Sequence, residues 1–134
     1  MKREEIREMT MQLVYQMDIT RDFSVKDLSV VEENEKVIGS ERAVCTLEAV
    51  QDHHEEIDRI ISQNLDKWTI DRIAKTDLAI LRTAVAEMLY VDSIPVSVSI
   101  NEAVNLARKY GDERSYAFIN SVLGKISRSM ASGD

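Results

Sequence analysis

The sequence predicts an all-α protein with one compact domain, and three observations support that fold class. The chain has 134 residues, of which 44% are hydrophobic, enough for one core and too few for two independent domains. It contains one proline, four glycines and 5% aromatic residues. Leu, Ile, Ala, Met, Glu and Arg are abundant, and these residues favour helix over sheet.

The first half of the chain predicts four helices of unequal length. Apolar spacing predicts a helix over residues 3–18, and the polar segment 19–40 predicts one short helix between two loops, capped by Ser24 with Asp27. After Gly39 and Ser40, we expect one helix ending near residue 52 and a second over residues 54–67. The first helix has a buried stripe of Ile6, Thr10, Leu13 and Met17.

Residues 77–91 predict the central helix of the domain. This stretch is apolar on nearly every side, and only Arg82 and Glu87 are charged inside it, after the two candidate starts Thr76 and Asp77. A helix that is hydrophobic all round is buried by its neighbours. Just before it, Thr69 is predicted to cap a helix of one or two turns.

Two further helices are predicted after an extended link at Pro95. Ser99 with Glu102 forms the pattern of a capping box, and the helix that follows ends at Gly111. The last helix is predicted to turn Phe118, Ile119, Val122, Leu123 and Ile126 inward. We expect a single domain over residues 1–128, fraying of the chain from residue 127 and a flexible tail over residues 129–134.

No residues form a recognisable catalytic or metal-binding pattern. The single cysteine, Cys45, permits no intramolecular disulfide and is expected to be a small buried side chain. His53 and His54 are adjacent, so on a helix they point about 100° apart and cannot share a metal; His53 is expected to be structural. Glycine-rich phosphate loops and nucleophile motifs are absent. We therefore expect no cofactor, no metal and no enzymatic activity.

The amino terminus and the overall charge indicate the compartment and the kind of partner. No secretory signal and no long uncharged apolar run is present, which predicts a cytoplasmic protein that does not enter a membrane. The formal net charge of −7 opposes binding to polyanions, so an RNA site has to be local.

Two groups of basic residues are the candidates for such a site. Arg3 and Arg7 are four residues apart and share a helical face, where Gln12 and Tyr15 add a hydrogen-bonding group and a stacking ring. Each group alone is more often solvated surface, and Tyr15 is alternatively packed in the bundle. The first group comprises Lys2, Arg3 and Arg7, and the second, around the Gly111 turn, comprises Arg108, Lys109 and Arg114.

Several ordered strings resemble the NusB family over nearly the whole chain. The first is REMTMQLVYQMD at residues 7–18. The second is HHEEID at residues 53–58, followed by Trp68 and by DRIAKTDLAILR at residues 71–82. The third and most specific is IPVSVSINEAVNLARKYG at residues 94–111, followed by FINSVL at residues 118–123.

The resemblance implies a bundle of about seven helices in two packed halves that acts by binding, without a cofactor. Members of the family pair with the ribosomal protein NusE. The pair recognises boxA-type RNA and makes transcription elongation complexes resistant to termination, which supports the transcription of ribosomal RNA.

The resemblance also assigns the residues of two surfaces. The opening helix faces RNA, which here implies Lys2, Arg3, Arg7, Gln12 and Tyr15. The protein-partner surface maps onto Asp71, Asp77, Tyr110 and Phe118, although Phe118 is alternatively a core residue. Exposed carboxylates at Asp71 and Asp77 suit a basic ribosomal protein.

The sequence departs from the family at two positions that affect RNA affinity. Glu4 and Glu5 stand where many members have arginines, which predicts weak autonomous RNA binding. Arg114 stands where some relatives are acidic, and Arg108, Lys109 and Arg114 offset part of the missing charge if their turn lies beside the first helix. The alternative is a helical interaction module that has lost RNA binding and works as a homodimer or as a carrier of a ribosomal protein.

Overall fold

The computed structural model describes residues 2–132. Within this range the chain forms seven α-helices and two single 3-10 turns, Glu32–Asn34 and Ile70–Arg72, with no strand, so the all-α prediction is confirmed. The helices are α1 (Arg3–Thr20), α2 (Val25–Ser29), α3 (Glu35–Ile38), α4 (Glu41–Gln63), α5 (Lys75–Tyr90), α6 (Val96–Tyr110) and α7 (Ser115–Ala131).

Helix α5 is the centre of the bundle, as its sequence predicted. Every residue from Asp77 to Met88 is buried. Helices α1 and α4 pack against α5 and against each other, and α6 and α7 form a second pair that also packs against α5. The two halves of the bundle therefore share one central helix.

Ion pairs with Arg82 fasten α1 and α4 to α5. The Nε and Nη2 atoms of Arg82 each donate a hydrogen bond of 2.8 Å to the carboxylate of Asp58 on α4. Its Nη1 atom lies 3.1 Å from Oδ2 of Asp18 on α1, which Lys75 also approaches to 3.3 Å. Burial opposes the charge of Asp18, yet Arg82 and Lys75 together hold its pKa below the ordinary value.

The break predicted between residues 52 and 54 corresponds to a kink at His53, where two helical segments join to form α4. His53 has non-helical angles, φ −131° and ψ 18°, but the helix continues through it. Its ring stacks on that of Tyr90 at 4.2 Å, and the ring of His54 stacks on that of Phe23 at 3.9 Å. These contacts confirm a structural role for His53 and hold the bend against α5 and the loop before α2.

The predicted helix starts have mixed outcomes. Ser24 caps α2 by accepting a hydrogen bond from the Asp27 amide, as expected. The side chain of Thr69 makes no cap bond, and α5 begins at Lys75 rather than at residue 76 or 77. The capping box at Ser99 is wrong, because α6 begins directly after Pro95 and Ser99 is buried inside it.

Two other expectations are also corrected. Cys45 is exposed, because it lies on the outer face of α4 while Thr46 and Leu47 face inward. Helix α7 continues to Ala131, beyond the residue at which fraying was expected. The end of the predicted tail, residues 133 and 134, lies outside the described residues.

Among the described residues, no helix is both long and apolar enough to span a membrane.

Candidate RNA and partner surfaces

The amino terminus of α1 and the start of α4 enclose a small basic cleft of about 50 Å³, here called the arginine cleft. Arg3 is exposed at its edge, and Arg42 of α4 lies at the other side, where its Nη2 atom donates to the Ser93 carbonyl at 3.3 Å. The polar residues that line the cleft are Arg3, Arg7, Thr10, Ser40, Arg42, Thr46 and Glu87.

Arg7 is the least exposed of the predicted RNA contacts. Its Nε atom donates to Oε2 of Glu87 at 2.9 Å, and the two side chains are only 13% and 4% exposed. Oε1 of Glu87 accepts a second hydrogen bond, from Ser99 at 2.8 Å, and Glu102 lies 3.8 Å from Nη1 of Arg7. Arg7 therefore neutralises a buried carboxylate of the central helix, while Lys2 and Arg3 remain exposed.

A second group of polar side chains joins α1 to α6, here called the α1–α6 seam: Glu8, Gln12, Lys109 and Tyr110. Lys109 Nζ lies 3.0 and 2.8 Å from the two carboxylate oxygens of Glu8, and the Tyr110 hydroxyl donates to the same carboxylate. Gln12 in turn donates to the Tyr110 hydroxyl at 3.3 Å. The hydrogen bond from Lys109, and then that from Tyr110, lowers the pKa of Glu8.

This seam changes the predicted grouping of residues. Lys109 and Tyr110, just before the Gly111 turn, do contact α1, but the charge of Lys109 is already balanced by Glu8. Tyr110, assigned to the partner surface, contacts Gln12 of the RNA set instead. The guanidinium of Arg108 lies 4.9 Å above the ring of Tyr116. Tyr15 is 38% exposed, so its ring is accessible for stacking.

A third feature, here called the Asp77 pocket, opens between α7 and the segment that precedes α5. It is about 370 Å³ in volume. Trp68 is 57% exposed at its edge. Asp77 is buried in it: Oδ2 accepts a hydrogen bond from Ser115 at 3.0 Å, and Oδ1 has no hydrogen-bond partner among the described residues. Burial raises the pKa of Asp77. The pocket is lined by Trp68, Arg72, Ile73, Ala74, Asp77, Asp112, Arg114, Ser115 and Phe118.

The pocket brings together only two of the four residues predicted for the partner surface. Asp77 is buried rather than exposed, because it lies in the first turn of the central helix α5 and faces Ser115 of α7. Phe118 lines the pocket and also packs against the core. It therefore has features of both predicted alternatives, a surface residue and a core residue. Asp71 is exposed on the neighbouring 3-10 turn without lining the pocket. Arg114, predicted for the RNA surface, lines this pocket instead.

Sequence reasoning gave no role to three residues that the structure places at these surfaces. Trp68 was noted only as part of a string, although a large exposed aromatic side chain is itself a signal of a binding surface. Arg42 and Glu8 carry no local signal, because each acquires its neighbours only when distant helices pack. The sequence separation between Glu8 and Lys109 is 101 residues.

The bundle has the architecture of a class of helical transcription antitermination factors whose structures have been solved. T. maritima NusB superposes with a TM-score of 0.82 and 29% identity, over 96% of this chain and 92% of that one. A crystal structure of the antitermination factors NusB and NusE in complex with double-stranded RNA matches with a TM-score of 0.80 and 29% identity, covering 95% of this chain and 96% of the other.

Sequence comparison then identifies the family. The NusB family model matches residues 4–128. The transcription antitermination protein NusB of Geobacillus kaustophilus is 44% identical over 126 residues, which span 94% of this chain and 95% of that protein. The chain belongs to the NusB family, and the resemblance noted in the sequence is confirmed.

Proposed function

We propose that this protein is an RNA-binding antitermination factor that pairs with ribosomal protein NusE, recognises boxA-type RNA and supports ribosomal RNA transcription in the elongation complex. Family membership supports the general role, and the related complex that contains NusE and double-stranded RNA supports both kinds of partner. The observation that carries the proposal is Asp77, a buried carboxylate with an unpartnered oxygen in an open pocket beside Trp68.

A basic ribosomal protein supplies the cation that Asp77 lacks, since Arg72 and Arg114 line the same pocket without pairing with it. No lysine or arginine among residues 2–132 forms an ion pair with Asp77, and its nearest charged neighbour that affects its pKa is another carboxylate, Asp112. A partner cation that reaches Oδ1 satisfies this buried charge, while the ring of Trp68 offers apolar contact area that is lost to water on binding. The net charge of −7 favours the same partner by long-range attraction.

The free protein is expected to have a low affinity for RNA, because few of its basic side chains are unpaired. Lys2 and Arg3 are exposed at the start of α1, but Arg7 and Lys109 already balance carboxylates. Lys2, Arg3 and Arg7 together predict a slope of log affinity against log salt no steeper than about −2 for single-stranded RNA, and the pairing of Arg7 makes it shallower. NusE adds contacts and positive charge, so both the affinity and the slope are expected to rise in the complex.

The alternative is a helical interaction module without RNA binding, acting as a homodimer or as a carrier of a ribosomal protein. The observation that favours it is the neutralisation of Arg7 and Lys109 within the chain.

A binding assay with and without purified NusE separates the two functions. We expect weak binding of a boxA-type RNA by the protein alone and tighter binding by its complex with NusE. Asp77→Asn is expected to weaken NusE binding at least tenfold, because it removes the charge that pairs with the partner, and to leave the weak RNA binding of the free protein unchanged. Asp92→Asn, an exposed aspartate between α5 and α6, is the matched control.

Two outcomes contradict the proposal. If the complex binds boxA-type RNA no more tightly than an RNA of equal length without that element, the interaction module becomes the better description. If Asp77→Asn and Asp92→Asn bind NusE equally well, the Asp77 pocket is not the partner site.

A further inference from the structure

We propose that Arg42 and Arg3 together bind one phosphate of the RNA backbone in the arginine cleft, so that the RNA runs from α1 onto the start of α4. The inference rests on the proposed RNA binding and adds a contact from a helix to which the sequence assigned no such role. Glu4 and Glu5 stand where many family members have arginines. On this proposal, Arg42 of α4 supplies the compensating positive charge, rather than the basic residues around the Gly111 turn.

The charge balance of the cleft supports an anion. Glu87 is the one carboxylate among its lining residues, and Arg7 already neutralises it; Glu102, just outside, lies 3.8 Å from the same arginine. Neither Arg3 nor Arg42 forms an ion pair with any described residue, and the bond from Arg42 to the Ser93 carbonyl leaves its charge uncompensated. Two guanidinium groups therefore border the cleft without a counter-charge.

The helical geometry of α1 keeps its acidic residues away from the cleft. Arg3, Arg7 and Thr10 lie on one face, whereas Glu4 and Glu5 are turned by about 100° and 200° from Arg3. Arg3 and Arg7 therefore face the cleft, whereas Glu4 and Glu5, which lie between them in the sequence, face away from it.

The donors in the cleft suit a phosphate. The hydroxyls of Thr10 and Thr46 donate to backbone carbonyls of their own helices, at 2.7 and 2.9 Å. The remaining donors are the arginines and the hydroxyl of Ser40, which accepts from the Ala43 amide. Guanidinium groups match phosphate oxygens with paired hydrogen bonds. The small volume, about 50 Å³, fits a compact anion better than a base.

Salt-dependent RNA binding by the complex with NusE tests the cleft. In Arg42→Gln, the loss of one phosphate contact is expected to reduce the salt slope by about 0.7 and the affinity for a boxA-type RNA about fivefold at ~0.1 M salt, with the difference vanishing near ~1 M. Arg59→Gln is the matched control, because Arg59 is an exposed arginine on the same helix that pairs with Glu56. Circular dichroism checks that both variants keep the parent's helicity.

The outcomes distinguish this inference from the proposed function. The proposal that the cleft binds an RNA phosphate is refuted if Arg42→Gln and Arg59→Gln bind the RNA with equal affinity and equal salt slope. It is also refuted if Arg42→Gln weakens NusE binding instead, which would indicate a protein carboxylate as the ligand. If the parent complex binds no RNA, the proposed function fails. Titration of the protein with inorganic phosphate then tests whether the cleft binds an anion. Saturable shifts of the Nε–H signals of Arg3 and Arg42, without a shift of Arg59, support an anion site; unmoved signals refute it.

Discussion

Glu87 and Asp77 are carboxylates on the same helix, and both are buried, with 3% and 9% of the residue exposed. Glu87 has its counter-charge within the chain, because Arg7 and Ser99 donate to its two oxygens. Asp77 has only the Ser115 hydroxyl, and one of its oxygens is left without a partner. Because an uncompensated buried charge is costly, the difference separates a carboxylate whose charge is compensated within the chain from one whose charge is not.

The largest expected effect comes from removing the charge of Glu87. Glu87→Gln leaves Arg7 mostly buried without its carboxylate, and we expect a loss of about 3 kcal/mol in the free energy of unfolding. Urea unfolding followed by circular dichroism measures it. The same reasoning predicts that Arg7→Ala destabilises the protein whereas Arg3→Ala does not, so an RNA-binding defect in Arg7→Ala has to be corrected for unfolding.

Glu102→Gln is the control for this prediction. Glu102 lies farther from Arg7, at 3.8 Å, and its side chain is 20% exposed, so its removal is expected to cost less than about 1 kcal/mol. Equal losses from Glu87→Gln and Glu102→Gln would show that the buried pair is not what holds α1 to this end of α5.

An intermediate effect is expected at Asp77, and it depends on pH. Burial raises the pKa of Asp77 in the folded protein, so its contribution to stability is present below the unfolded pKa and is lost as the pH rises through the folded pKa. Asp77→Asn removes this dependence. We therefore expect the variant to gain stability relative to the parent as the pH is raised from about 3 to 7, by roughly 1 kcal/mol. Thermal or urea unfolding at several pH values measures the difference.

No pH dependence is expected if ionisation of Asp77 carries no cost in the folded protein. A stability difference between Asp77→Asn and the parent that is constant across this pH range would mean that the carboxylate is adequately solvated in the free protein. Asp77 would then resemble an exposed aspartate such as Asp92, and the contrast with Glu87 would disappear.

The fold was predictable from the sequence where local pattern and tertiary packing agree. The central helix is apolar on every side, and α6 ends at Gly111 as its sequence indicates. The break predicted near residue 53 corresponds to the kink at His53. The stacking of His53 on Tyr90 was not predictable, because Tyr90 belongs to another helix. Ser99 matched the pattern of a capping box, but it lies inside α6 and its hydroxyl donates a hydrogen bond to the buried Glu87.

The surfaces were less predictable than the fold, because charge alone does not show which cations are free. Arg7 and Lys109 are basic in the sequence and neutralised in the structure by Glu87 and Glu8. Arg42, isolated in the sequence, becomes part of a basic cleft only when α1 and α4 pack together. Pairing of this kind is tertiary information, and residue spacing along one helix does not contain it.

The smallest expected effect concerns Glu8, a carboxylate that has a cation like Glu87 but is not deeply buried. Its side chain is 24% exposed and that of Lys109 is 60% exposed, so solvent screens the pair. Glu8→Gln is expected to lower the free energy of unfolding by about 0.5 kcal/mol at pH 7. Because the pKa of Glu8 is lowered in the folded protein, this contribution is present above the unfolded pKa and is lost as the pH falls through the folded pKa. Glu48→Gln, an exposed glutamate of α4, corrects for the change in net charge. A loss from Glu8→Gln as large as that from Glu87→Gln would show that pairing, rather than burial, sets the cost of these carboxylates.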